Sequence, residues 1–245
     1  MADLGWLDSG TAYFASRMEA CDLDRATRLP GWTGRHVVAH VAANALALGR
    51  LVHWARTGEE RPMYSSPQAR DVEIEELAGR LSAAELAGLA KETAEELRAD
   101  LGRLSGTQWE ATVRTAQGRV VPATEIVWMR TREVWIHGVD LGGSFADFPG
   151  ELVDALVGDV VGLWSARGQG PAMVLRATDG EAVWHVSAPA ADSVGAAGPS
   201  QADVVPEVRG TAVPEVRGTA AELAAWVTGR GPAPEPGAPA IGRWL

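Results

Sequence analysis

Residues 33–58 read as one long helix, and a helix of that length dictates what the rest of the chain must supply. Thr33 is a suitable N-cap and Gly58 a stop signal. At about 100° per residue, Val37, Val41, Asn44, Leu48 and Leu51 fall in one stripe. A largely apolar stripe needs other helices to cover it. The chain offers them. Residues 4–21 carry Leu4, Leu7, Phe14 and Met18. Residues 67–81 form a shorter helix bearing Arg70. Ser82-Ala83-Ala84-Glu85 is a capping box opening a helix with Leu86, Leu89, Leu97, Leu101 and Leu104 at helical spacing. Residues 109–121 read as extended around a Gln117-Gly118 turn. Pro122 fits the first turn of a further helix ending near Gly142-Gly143. Long amphipathic helices joined by modest loops make a bundle.

After Gly150 the pattern changes. A helix over 151–166 is followed by two β-like runs, 173–176 and 182–186, on either side of Asp179-Gly180. They read as a hairpin. Residues 189–203 are loop-like, a last helix covers 219–228, and the tail from Gly231 is Pro-rich. The expected fold is α+β, with a helical bundle over 1–148 and a smaller α/β domain over 149–245. Residues 205–212 and 213–220 both read VPEVRGTA. A perfect repeat this short marks a duplication rather than a solenoid. Eight is even, so a slip by one copy keeps every side chain on its sheet face. The second copy leads directly into the last helix and is expected to hold the strand. The first then lies in a lengthened loop.

Glu133 and His137 stand i, i+4 apart on the later helix and share a face with Ile126, Met129, Arg130 and Asp140. Four ionisable groups on one face are costly to bury without partners. A metal would satisfy Glu133 and His137 together. The competing reading is a Glu–His hydrogen bond or a Glu133–Arg130 surface pair. On the earlier helix His40 lies at the edge of the inward stripe and is the best inward histidine. His36 is further round, where it could assist at the mouth of a site. His53 is almost opposite and reads as a surface residue or loop contact. Three protein ligands and an open position would make a catalytic metal site.

Composition narrows the partners. A net charge of −10 weighs against nucleic acid and against an anionic membrane surface. It leaves room for a small anionic substrate bound by a few Arg. Cys21 is the single cysteine, so there is no internal disulfide and no zinc ribbon. No signal peptide and no apolar run of about 18 residues is evident. A soluble cytoplasmic protein is expected, its oligomeric state open and a monomer compatible with the sequence.

Residues 29–33 (LPGWT), 36–44 (HVVAHVAAN) and 132–142 (REVWIHGVDLG) together resemble the mycothiol-dependent maleylpyruvate isomerase family, within the DinB-like metalloprotein bundles. The likeness extends to 53–60, 62–64, 115–119, 229–231 and 243–245, and so spans nearly the whole chain. It implies a DinB-like four-helix bundle and a C-terminal α/β domain contributing to the active-site cleft. It implies zinc held by His40, Glu133 and His137, with Arg70 near the cleft and Arg230 reaching toward it as a catalytic residue. The duplication departs from the family pattern close to the helix that presents Arg230.

The implied reaction converts maleylpyruvate to fumarylpyruvate, as in gentisate-type aromatic degradation. A conjugated cis double bond must become single for a moment. A thiolate adding to the alkene carbon leaves an enolate, and rotation and loss of the thiolate give the trans product. A free thiol near pKa 8.5 is mostly protonated at neutral pH, and zinc coordination removes that proton. A lone Cys such as Cys21 is more often a small buried hydrophobe, so an external thiol, mycothiol, fits better. Arg230, Arg70 and Arg130 would pair with substrate carboxylates and the enolate; the competing reading of each is a solvated surface charge. Alternative functions on the same scaffold are a mycothiol S-transferase or thiol-conjugate hydrolase, and a non-catalytic metal-binding regulatory protein.

Overall fold

The computed structural model of the protein describes residues 3–168, 170–187 and 213–242. The fold is α+β and the chain divides into two compact units, Met1–Asp147 and Phe148–Leu245.

The first unit is a bundle of α1 (Gly5–Ala20), α2 (Gly34–Thr57), α3 (Pro67–Arg80), α4 (Ala83–Gly102) and α6 (Glu125–Asp140). Fifteen of the 24 residues of α2 are buried, which makes it the central helix rather than a surface one. It packs on α3, α4 and α6, while α1 packs on α6. Ala39, Ala42, Ala43, Ala45 and Ala47 keep α2 slim enough for neighbours on several sides. The Thr33 N–H donates to His36 Nδ1 at its start, and Gly58 ends it at φ 77. Ser66 caps α3 by accepting from the Ala69 N–H, and Ser82 with Glu85 caps α4. Arg35 donates to the carbonyls of Ala78 and Leu81 and so ties the end of α3 to α2.

Two local expectations are corrected. Trp109 is not extended; it closes a short helical turn, α5 (Gly106–Trp109), opened by a Ser105/Gln108 capping box. Pro122 does not start the next helix. It ends β2 (Val120–Pro122), which pairs antiparallel with β1 (Thr112–Arg114), and α6 begins at Glu125. A proline lacking an N–H suits the end of a strand in a two-stranded ribbon equally well, and the Ala123 N–H carries on by donating to the Ala111 carbonyl.

The second unit holds α7 (Gly150–Arg167), β3 (Met173–Ala177), β4 (Val183–Val186), β5 (Glu215–Gly218) and α8 (Ala220–Val227). The sheet order is β4-β3-β5; β3 pairs antiparallel with β4 and parallel with β5. Helices α7 and α8 pack on each other and on the sheet. The second VPEVRGTA copy supplies β5 and the N-cap of α8, Thr219. The first copy lies outside the described residues, as does the closing 243–245. No described helix is long and apolar enough to cross a membrane.

Candidate metal centre

Helices α2 and α6 bring His40, Glu133 and His137 together. His40 Nε2 lies 2.8 Å from Glu133 Oε2, and His137 Nε2 lies 3.2 Å from the same oxygen. The two imidazoles stand nearly perpendicular, 4.7 Å apart. One ligand atom from each residue falls within 4.8 Å of the others. His40 and His137 are buried, while the Glu133 side chain keeps 22% of its surface open. Two imidazole nitrogens and one carboxylate oxygen, crowded and partly accessible, are a donor set that fits a zinc-type ion.

Electrostatics agree with that crowding. Burial alone would raise the Glu133 carboxyl, but His40 and His137 outweigh it and hold it well below the usual carboxylate range. Burial pushes His40 down, more strongly than Glu133 pulls it up. Burial also presses on His137, yet Asp140 and Glu133 together raise it. The cluster therefore contains two histidines, one from each helix, displaced in opposite directions.

The other expected residues are placed as follows. Arg70 Nη2 is 3.4 Å from His40 Nδ1, and its Nη1 meets Asp71 Oδ1 at 3.1 Å. It stands at the edge of the cluster, partly exposed. Arg130 is neither a surface charge nor open to a substrate carboxylate. It is 1% exposed, and its Nη1 donates to the Val41 carbonyl at 2.7 Å and to Asn44 Oδ1 at 3.0 Å. Its guanidinium ties α6 to α2 one turn from Glu133. Burial lowers its pKa to about 10, which leaves it charged at neutral pH. Arg230 lies in the second unit just after α8; its N–H donates to the Ala225 carbonyl and its Nη1 to the Thr228 carbonyl, both at 2.7 Å. His36 is taken up in the cap of α2, with Glu75 3.4 Å from its Nε2, and His53 meets Glu59 at 3.3 Å.

Three further residues belong to the site. Asp140 Oδ2 lies 2.8 Å from His137 Nδ1. The Trp32 ring is 5.6 Å from that of His40. Tyr64 has its phenol raised to about 12, by burial above all, and feels the charges of Arg70 and Glu133. Asp140 had a readable signal, its i, i+3 spacing from His137. Trp32 and Tyr64 reach the site from loops, which have no period to read.

Residues 7–142 match the Mycothiol maleylpyruvate isomerase N-terminal domain, and residues 147–242 match the MDMPI C-terminal domain. The chain belongs to the mycothiol-dependent maleylpyruvate isomerase family. A solved crystal structure of a mycothiol-dependent maleylpyruvate isomerase is 34% identical, covers 95% of this chain and 94% of its own, and superposes with a TM-score of 0.79. A structure of a histidine-to-alanine variant of such an isomerase is 33% identical over the same shares, with a TM-score of 0.78. No curated protein matches the chain. Family membership makes the protein an enzyme of the isomerase class, and the reading of a non-catalytic regulatory protein is set aside.

Proposed function

We propose that this isomerase converts maleylpyruvate to fumarylpyruvate in a zinc- and mycothiol-dependent reaction. The observation that carries the reading is the convergence of His40, Glu133 and His137 in a chain of this family. Those three residues would hold the ion and leave a position for an outside ligand. Bound there, zinc would keep a coordinated external thiol as thiolate at neutral pH. Cys21 is poorly suited to be that thiol. It follows α1 as its C-cap, and burial, with Asp22 beside it, pushes its thiol up rather than down.

The remaining work falls to the chain's own side chains. Arg70, already at the edge of the cluster, would pair with a substrate carboxylate. Arg230 is the proposed catalytic arginine, stabilising negative charge as it develops on the substrate. Tyr64 keeps its proton through the physiological range and can only donate or accept a hydrogen bond, not act as a base. Arg130 would hold α2 and α6 at the spacing the ligands need.

Mycothiol-dependent turnover of maleylpyruvate by wild type and His40→Ala tests the reading. Fumarylpyruvate formation that disappears in His40→Ala together with the bound metal is expected. A stable thiol conjugate formed in place of fumarylpyruvate would favour an S-transferase instead.

A further inference from the structure

We infer that Asp140 is a positioning residue of the metal centre: its buried carboxylate holds His137 with Nε2 turned to Glu133 and to the ion. The inference rests on the metal reading of His40, Glu133 and His137. Asp140 Oδ2 lies 2.8 Å from His137 Nδ1, and the Asp140 side chain is fully buried. A carboxylate only accepts, so the imidazole proton facing it must sit on Nδ1. With an ion bound, the lone pair of Nε2 would be left for it; without one, Nε2 faces Glu133 Oε2 at 3.2 Å, a second acceptor, and carries a proton as well. Both residues stand on α6 at i, i+3, one turn apart on a single rigid element. The neighbours Val139 and Leu141 are core residues, 3% and 4% exposed. An acid placed among them is expensive unless partners compensate it, and His137 is one of them.

His40 is arranged differently. Its outer nitrogen faces Arg70 Nη2, a donor, rather than a carboxylate. Of the two ligand histidines, His137 is therefore the one whose tautomer and ring orientation are set by an acid. A carboxylate behind a ligand imidazole typically carries a 10- to 100-fold share of metal affinity. Its contribution acts on the metal and not on the fold alone, which separates it from an ordinary buried hydrogen bond.

The test is zinc titration against a competing chromophoric chelator, with nitrogen-15 NMR of the histidine rings. The variants are Asp140→Asn, Asp140→Ala and, as a control on the same helix, Ile126→Val. The expected result is a His137 proton on Nδ1 and none on Nε2 in zinc-loaded wild type, and zinc affinity about 10- to 100-fold weaker in both Asp140 variants. Ile126→Val should lower stability and leave zinc affinity unchanged. Wild-type affinity in the Asp140 variants overturns the proposal, and so does a His137 proton on Nε2 in zinc-loaded wild type, a readout that needs no variant to fold. A wild-type protein that takes up no zinc overturns the underlying metal reading, and the proposal with it.

Discussion

Arg130 and Glu133 share a face of α6 one turn apart, and their surroundings give them different work. Glu133 keeps an open side and two histidines. Arg130 has none, and its N–H groups are taken by Val41 and Asn44. Arg130→Met should therefore destabilise the bundle by roughly 1–3 kcal/mol, since it takes the donor from the buried Asn44 Oδ1; urea unfolding measures this. Arg70→Ala should act the other way round, leaving stability within about 0.5 kcal/mol and raising KM for an anionic substrate. Tyr13 provides a pH handle. Burial, with a hydrogen bond to Asp147, raises its phenol to about 12, above the ordinary value near 10. The neutral form is the one favoured in the fold. Its contribution is thus complete below pH ~10 and is lost as pH climbs toward ~12. Denaturation curves across that window should fall more gently for Tyr13→Phe than for wild type. The inward place of His40 was legible because it depends on helical period alone. The job of Arg130 was not, because it depends on which atoms of a neighbouring helix stand opposite; Asp140 had only its i, i+3 spacing from His137 to mark it.

At the level of elements, α1 and α6 approach closely through glycine. A Cβ on Gly10 would collide with the Trp135 indole, and one on Gly138 with the Tyr13 ring. The Tyr13 and Trp135 rings stack, 4.9 Å apart. Gly138 follows His137 directly, so this contact also sets where the metal face of α6 points. Gly138→Ala should cost about 1–3 kcal/mol of stability and loosen metal binding, whereas Gly49→Ala, with open space at its Cβ, should do neither; thermal unfolding and zinc titration report both. The helices were readable from caps and periodicity. Pro122 was misplaced because a proline without an N–H satisfies a helix start and a strand end alike. In the second unit, deleting one VPEVRGTA copy yields the same sequence whichever copy is removed. The chain that remains still has β5 entering α8. Its melting temperature should stay within a few degrees of wild type, and a collapse of the second unit would show that both copies are needed.

On the scale of the whole molecule, the two units match the two domains of one family, and the chain is an isomerase by that membership. In the sequence the pattern changes after Gly150, where one further helix leads into short β-like runs. The role proposed for Arg230 rests on the resemblance alone, because its residue type and its loop after α8 carry no chemical pattern of their own. In the proposed reaction, His40, Glu133 and His137 hold an ion without which a borrowed thiol cannot serve. Its most direct test is turnover of maleylpyruvate by the metal-loaded and the metal-stripped enzyme, each with and without mycothiol. Fumarylpyruvate is expected only where metal and mycothiol are both present, with activity restored when zinc is returned to the stripped enzyme. Full activity in the metal-stripped, thiol-free sample would contradict it.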